Sequence, residues 1–435
     1  MCRKFQRSLF WLGISAVLFL LIIVPSVAFA SGITLPEQGQ PGVGTATVGS
    51  AAQADDASTV FYNPAGMTRL DRSELLGGLE GLFGPVKFKS DPNIEHPFAG
   101  GDGGNASYPV LPAGGLYYVY KPPQDANYRL GFAFNSLAGM GLDYDGDWRG
   151  RYEIQNSFCM ILNMNPSIAF KINDQLSVGA GVSVMYGLLS QEIAIPSALP
   201  LGPPDGKAAM TLDDWQVGYN IGGLYEPQKG TRIGVAYRSE VTFDLEGDVT
   251  LDNLGPLLDE KAIKDNMAKT QLPIPQSIMV SLYQDLNDRW AIVVDGGWQD
   301  WSVMNKTVVT TMSGATLTLK RNWEDTWHTG VGLLYRLNDR VRLKAGIAYD
   351  SNPQPTDSRW PDMPIDENWR YAGGLDYKIN EDTSVSLSYT FLDLGSARID
   401  KEIPPGTLFP GRQFRGEYDQ YMHIVAISFR KKFGN

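Results

Sequence analysis

Four arginines have side chains suited to binding an anion, because a guanidinium donates two parallel hydrogen bonds to a carboxylate. Strand alternation places Glu240 on the same face as Arg238, and Asp376 lies near Arg370. Each arginine could therefore bind the carboxylate of a ligand or belong to an internal ion network. The candidates for a head-group site are Arg151, Arg238, Arg342 and Arg370, with Lys344 as a further inward-facing cation.

The histidines indicate neither an enzyme nor a metal site. His96, His328 and His423 have no metal-ligating neighbour at motif spacing. No serine–histidine pair can be placed, and no phosphate-binding glycine loop precedes a helix. We therefore expect no catalytic residue, no metal and no cofactor.

Two long links carry apolar side chains that a solvated loop does not need. Exposed apolar patches of this kind mark binding sites. The alternative is that the two links bury these residues against each other as a lid. The candidate hydrophobic substrate-binding residues are Ile193, Ile195, Leu199 and Leu201 in one link and Leu254, Leu257, Leu258, Ile263 and Met267 in the other.

The elements that position these residues are strands. In Val341–Tyr349 and Val385–Phe391, apolar residues alternate with small, polar or charged ones. This period of two fits a soluble sandwich, whose apolar face forms a core, and equally a membrane barrel, whose apolar face contacts lipid. Aromatic residues near strand ends fit an interfacial girdle or a core: Trp290, Trp298, Trp301, Trp323, Trp327, Tyr335, Tyr349, Trp360, Trp369 and Tyr389.

The lengths of the connections separate the two alternatives. Short turns alternate with long links along the whole chain, which is the arrangement of outer-membrane barrels. Six turns and seven long links join fourteen strands, so we predict an all-β, 14-stranded antiparallel transmembrane barrel over residues 73–435. The turns are 121–125, 171–175, 226–230, 285–289, 337–340 and 378–382. The long links lie near 90–109, 138–158, 190–209, 247–273, 301–322, 350–368 and 394–416.

The first thirty residues predict export. A basic start, the apolar run Ser8–Val24 and the motif Ala28-Phe29-Ala30 are typical of a cleaved signal peptide over residues 1–30, with an uncleaved anchor as the alternative. Cleavage removes three basic residues and no acidic one, so the net charge changes from −11 to −14. A chain this acidic is a poor partner for nucleic acid. Only Cys159 remains, which excludes an intramolecular disulfide.

Residues 31–72 are rich in glycine, alanine and serine, and precede the first predicted strand. They contain Asn63, Pro64 and Ala65, preceded by the run Ala54–Ser58. This segment, together with Trp148–Tyr152 and Asn165–Ala169, resembles the family of outer-membrane transporters for long-chain fatty acids and aromatic hydrocarbons. Pro64 fixes its own φ and Asn63 can hydrogen-bond back to the main chain, so the tripeptide is either a structural turn or part of a gate.

The resemblance implies a barrel plugged by residues 31–72 as a hatch that contains Asn63, Pro64 and Ala65. It implies passive uptake of hydrophobic small molecules, with long-chain fatty acids as the first expectation. Substrate would land in an outer apolar groove, enter an interior pocket and leave sideways through a kinked third strand. That strand is predicted over Tyr128–Gly141, where Gly131, Gly139 and Gly141 would permit a bulge.

The expected location is the bacterial outer membrane, crossed many times, with membrane lipid around a monomer and no nucleic-acid partner. Two other functions fit the same barrel. A general diffusion porin shares the strand pattern but needs neither a hatch nor apolar outer loops. A surface receptor or adhesin would shape its loops for a protein partner.

Overall fold

The computed structural model describes residues 33–91, 104–106, 110–123, 126–196, 205–252, 267–311, 314, 316–404 and 411–434. The predicted signal peptide lies outside these ranges, and so does most of the first long link. No helix in the described part of the chain is both long and apolar enough to cross a membrane.

Almost every segment with period-two alternation in the sequence forms a strand in the structure. In chain order the strands are β1 (Ser73–Phe83), β2 (Val86–Ser90), β3 (Asn105–Ala106), β4 (Leu111–Tyr120), β5 (Tyr128–Asp143), β6 (Asn156–Lys171), β7 (Leu176–Ile195), β8 (Gly206–Gln228), β9 (Thr231–Arg238), β10 (Val241–Asp252), β11 (Met267–Ile274), β12 (Ser277–Asp285), β13 (Trp290–Gln299), β14 (Lys306–Thr311), β15 (Thr316–Lys320), β16 (Thr326–Arg336), β17 (Val341–Asp350), β18 (Asn368–Lys378), β19 (Thr383–Asp393), β20 (Arg398–Glu402) and β21 (Gln413–Phe433). The helices of the described ranges are short: α1 (Thr59–Tyr62) and the 3-10 helices Pro41–Thr45, Pro64–Arg69 and Trp301–Val303.

Fourteen antiparallel strands close into a barrel, which confirms the predicted fold. β1 pairs with β4 on one side and with β21 on the other, from Ser73 opposite Phe433 to Phe83 opposite His423. The seventh and eighth barrel strands are each interrupted by two residues, 239–240 and 275–276. Around the barrel the order is β1, β4, β5, β6, β7, β8, β9–β10, β11–β12, β13, β16, β17, β18, β19 and β21.

The six predicted short turns all join neighbouring strands at one end of the barrel, here called the turn end. In four of them an asparagine side chain holds the turn together. The Oδ1 atom of Asn338, for example, accepts hydrogen bonds from the backbone N–H groups of Arg340 and Val341, both at 2.9 Å. Such a bond from a side chain to the backbone two residues later fixes a tight turn. The equivalent asparagines are Asn173, Asn287 and Asn380.

The long links lie at the opposite end, here called the loop end, and contain more strand than the sequence predicted. Residues 247–252 of β10 and nearly all of β11 fall within the predicted link 247–273, and β14 and β15 fall within 301–322. These segments continue the ladder beyond the barrel, because β10 pairs with both β8 and β11, and β14 pairs with β15. Their outward-facing residues are polar, which in the sequence pattern is typical of a loop. A strand above the membrane, however, needs no apolar outer face.

The outer surface is apolar and the interior is polar or small, which is the arrangement of a membrane barrel. Leu79 on β1 is 71% exposed, whereas Asn135 and Ser183 are buried inside. Aromatic pairs with tilted rings lie at both ends of the outer surface: Trp290 with Tyr335, and Tyr349 with Trp369. The girdle assignment is wrong for Trp301, Trp323 and Trp360, which are buried among the loops.

Candidate functional site

The amino-terminal segment, residues 33–72, packs against inward-facing residues of the barrel wall. Two wall glycines allow this close approach. A Cβ atom at Gly234 would lie 1.9 Å from the carbonyl oxygen of Ala51, and one at Gly346 would lie 2.2 Å from that of Thr45. Only glycine fits such positions.

Three wall carboxylates bind backbone N–H groups of the amino-terminal segment, each at 2.8 Å. They are Glu74, Glu80 and Asp295, and their partners are Ala57, Gly39 and Gly49 respectively. In each carboxylate the second oxygen is buried without a hydrogen-bond partner. These three residues were not among the sequence-based candidates, although an acidic residue at an inward position of a strand is a usable signal.

Asn63 joins the amino-terminal segment to itself and to the wall. Its Oδ1 accepts from the backbone N–H of Ala65 at 3.1 Å, and its Nδ2 donates to the carbonyl oxygens of Ala51 and Gly223, at 2.6 and 3.0 Å. Pro64 then begins the 3-10 helix Pro64–Arg69, and all three residues of the tripeptide are buried. These contacts are those of a structural turn, and a part in a gate stays a prediction.

Three of the four candidate arginines are paired with carboxylates. Arg151 contacts Asp205 at 2.8 Å, outside the barrel wall. Arg370 contacts Glu37 of the amino-terminal segment at 2.7 Å and also pairs with Asp350.

Arg342 contacts Asp55 at 2.7 Å and Asp376 at 2.9 Å. Asp376 also pairs with Lys344. The predicted proximity of Asp376 to Arg370 is therefore wrong, because Asp376 lies opposite Arg342 in the β17–β18 register.

Arg238 differs from the other three. Its guanidinium donates to the carbonyl oxygen of Phe61 at 2.9 Å and to Ser183 Oγ at 3.3 Å, and lies 4.0 Å from the centre of the Phe61 ring. No carboxylate of the described residues lies within 4.0 Å of it, so the expected pair with Glu240 does not form. Arg238 borders a cavity of about 150 Å³, the lumen cavity, between the amino-terminal segment and β9–β13.

A second cavity of about 200 Å³, the wall cavity, lies where two neighbouring strands separate. Pairing between β4 and β5 ends at Gly115 opposite Asn135, and β5 has an irregularity at Leu137. The irregularity does not fall on any of the three glycines named from the sequence. Ile33–Leu35 instead bind the separated part of β5, since Leu35 N–H donates to the Leu137 carbonyl oxygen at 3.2 Å.

Apolar residues line the wall cavity near this separation. Pro112 lies on the β4 side, where its missing N–H leaves one fewer group to satisfy. Leu111, Ala113, Met140, Leu142 and Phe158 also line it, and Arg370 and Glu37 border it.

A third cavity of about 370 Å³, the outer cavity, opens among the loops. Ile193 lines it, whereas Ile195 and Met267 are half-buried outside its lining. Five further apolar lining residues were not among the sequence-based candidates, although alternation in the strand extensions identifies them: Met210, Val249, Val309, Leu317 and Leu319. The candidates Leu199, Leu201, Leu254, Leu257, Leu258 and Ile263 lie outside the described residues.

An aromatic cluster beside the outer cavity, here called the loop cap, contains Tyr144, Trp148, Trp360, Phe414 and Tyr418. Lys401 lies 3.3 Å from the centre of the Trp360 ring, and burial lowers the pKa of its ammonium to about 7. Burial raises the pKa of the Glu153 carboxyl to about 7, although Arg412 pairs with it. In the loop cap, loss of hydration thus disfavours the charged forms of both side chains.

No cluster of histidine, cysteine and acidic residues suited to a metal occurs in the described ranges. The groups that these ranges bring together are cations, carboxylates and apolar side chains around three cavities. Such an arrangement can bind and conduct an apolar or amphiphilic molecule.

Comparisons with known proteins agree with this geometry. The chain is 28% identical over 426 residues to the "Long-chain fatty acid transport protein" of Escherichia coli O6:H1, covering 89% of this chain and 92% of the relative. It is 26% identical over 430 residues to "Outer membrane protein P1" of Haemophilus influenzae, covering 90% of each chain.

Solved structures share the fold. A Pseudomonas aeruginosa FadL homologue has a TM-score of 0.82 at 21% identity, covering 93% of this chain and all of that one (100%). The Ralstonia pickettii toluene transporter TbuX has a TM-score of 0.66 at 19% identity, covering 93% of this chain and 99% of that one.

The family profile described as "Outer membrane protein transport protein (OMPP1/FadL/TodX)" matches residues 21–433. This family consists of transport proteins of the outer membrane, not of enzymes, in agreement with the prediction from the sequence. With its closed 14-stranded barrel and apolar outer surface, the chain is a member of the OMPP1/FadL/TodX family of outer membrane transport proteins.

Proposed function

We propose that this protein takes up hydrophobic molecules passively across the outer membrane and that its substrates are long-chain carboxylates. Relatives are named as transporters of long-chain fatty acids and of toluene, so hydrophobic cargo is common to both groups. The apolar lining of the outer cavity supports a landing site at the loop end. Each methylene moved from water into such a lining contributes about 0.8 kcal/mol, so apolar contact is sufficient for capture.

Arg238 is the residue that favours a carboxylate substrate over a neutral hydrocarbon. Arg151, Arg342 and Arg370 have their charge compensated by acidic neighbours, whereas Arg238 has none within 4.0 Å in the described ranges. It borders the lumen cavity together with Ile274 and Met279, which suit an alkyl chain. Burial of an uncompensated cation costs desolvation free energy, and a neutral cargo such as toluene would not offset that cost.

The exit in this proposal is the separation of β4 from β5. The wall cavity borders the unpaired parts of both strands, which makes it the natural lateral route from the interior to lipid. The amino-terminal segment acts as the plug that closes the direct route of the hydrophobic substrate to the periplasm. A monomer is sufficient for this function, because the cavities lie within one barrel.

The test is binding of oleate and of an uncharged C18 alkene to the detergent-purified protein. Arg238→Gln should weaken oleate binding about tenfold or more, since a hydrogen bond to a charged group contributes about 1.5–3 kcal/mol. Binding of the alkene should not change. Lys320→Gln is the matched control, because Lys320 is exposed on the far side of the loop-end strands.

Equal effects of Arg238→Gln on both ligands would contradict the carboxylate assignment. Binding of the alkene but not of oleate would identify a hydrocarbon carrier. The two alternative functions have their own outcomes. Rapid swelling of liposomes in small sugars would indicate a general porin, and failure to bind any apolar ligand would favour a receptor or adhesin.

A further inference from the structure

The lumen cavity adjoins a smaller cavity inside the amino-terminal segment. This segment cavity measures about 30 Å³. Thr47, Ser50 and Tyr62 line both cavities, so the two cavities adjoin at these residues. The Tyr62 hydroxyl is held aside, because it donates to the Pro36 carbonyl oxygen at 2.6 Å.

The two cavities follow one another along the barrel axis. Ser277 and Gln299 border the lumen cavity, and they form the first pair at the loop end of β12 and β13. Gln53 and Asp55 border the segment cavity. Asp55 contacts Arg342 near the turn end, and its side chain is 22% exposed. The cavities therefore lie in order from the loop side of the barrel towards the turn end, where Asp55 is partly exposed to solvent.

The lining of the segment cavity suits water. Hydroxyl, amide and carboxylate groups surround it, from Gln40, Ser50, Gln53, Asp56, Ser58 and Thr59. One water needs roughly 10–15 Å³ and two to four polar partners, so about two waters fit in a row. A hydrated ion does not fit this volume, and an alkyl chain would leave the polar groups unsatisfied.

We propose that the lumen and segment cavities form a single-file water passage through the amino-terminal segment. This is a second permeation function, separate from the uptake of hydrophobic molecules. An apolar molecule that enters the lumen displaces water from it. The passage lets that water drain to the turn end while the segment keeps its contacts with the wall.

The experiment measures osmotic shrinkage of proteoliposomes by stopped-flow light scattering in sucrose. Wild type should increase water permeability above that of protein-free vesicles, in proportion to the protein content. Ser50→Cys in a Cys159→Ala background should keep the increment. Methyl methanethiosulfonate then attaches a methylthio group to Cys at that position and releases methanesulfinate. The increment should be lost, and dithiothreitol should restore it on the same molecules.

Ser302→Cys in the same background is the control, because Ser302 is exposed outside both cavities. Its modification should leave permeability unchanged. If Ser50→Cys lowers permeability before modification, Ser50→Ala, which only removes one oxygen, should still keep the increment. Three results would overturn the proposal: no increment in wild type, an increment insensitive to modification at position 50, or a potassium current in planar bilayers that modification abolishes together with water flow.

Discussion

Asp55→Asn should release the amino-terminal segment from the wall. The Asp55 carboxylate lies between Arg342, at 2.7 Å, and Arg232, at 3.4 Å. Both arginines hold the pKa of this carboxyl well below its usual range, despite burial that acts in the opposite direction. The amide removes the charge and retains the shape of the side chain.

The expected free-energy cost of Asp55→Asn follows from the contacts that each arginine retains after the substitution. After the substitution Arg342 still has Asp376 at 2.9 Å, whereas among the described residues Arg232 retains only the Tyr283 ring, 3.6 Å from its guanidinium carbon. The Arg232 side chain is only 4% exposed. Breaking a buried pair costs about 3–5 kcal/mol. We expect the lower end, about 3 kcal/mol, because Asp55 is partly exposed, and the displaced state should become about 100-fold more populated.

Hydrogen exchange of residues 33–72 in detergent measures this population. Asp55→Asn should lower protection throughout the segment, while strand amides should keep theirs. Wild type should lose the same protection as the pH falls below about 3.9, because a depressed pKa contributes stability only above the unfolded value. Asp71→Asn is the matched control, since Asp71 pairs with Lys432 while 68% exposed. Wild-type protection in Asp55→Asn would refute the reasoning.

Two further predictions concern the ends of the barrel. Asn338→Ala should lower the free energy of unfolding by about 1–2 kcal/mol, because two turn N–H groups lose their acceptor. Urea unfolding measures this change, with Asp339→Ala as the control. Equal unfolding midpoints for the two variants would contradict the prediction. The loop cap should be least stable near pH 7: the raised pKa of Glu153, about 7, makes stability fall between about pH 4.3 and 7, and the lowered pKa of Lys401, about 7, makes it rise from there to about 10.4. Exchange protection of the Trp148 amide, corrected for intrinsic rates, should show this minimum, and a steady trend with pH would exclude it.

The architecture was predictable because local chemistry determines it. Asn338 and its three equivalents make turns by accepting a hydrogen bond from the backbone N–H two residues later, so a few consecutive residues determine each turn. Alternation in β17 and β19 reports the two environments of each strand directly. The limits of β10 and β14 were not predictable in this way, because above the membrane the outer face can be polar without ending the strand.

The interior was less accessible because it depends on register and on distant partners. Asp376 and Arg370 are close in the sequence, but the register places Asp376 beside Arg342. Glu80 and Asp295 are ordinary acidic residues until residues 39 and 49 are brought against them. The irregularity at Leu137 likewise coincides with pairing to Ile33–Leu35, a contact that spans about a hundred residues, and glycine content in β5 carried no information about it.

The contacts of the amino-terminal segment also impose an order on biogenesis. The segment is the first described part of the chain, yet its partners include Asp295 on β13 and Lys344 on β17. Its docking site is therefore incomplete until most of the barrel strands have been made. The barrel also cannot close until β1 pairs with β21, the last strand in chain order. The amino-terminal segment is synthesised before the strands that bind it, so it must be among the last parts of the described chain to reach its final position.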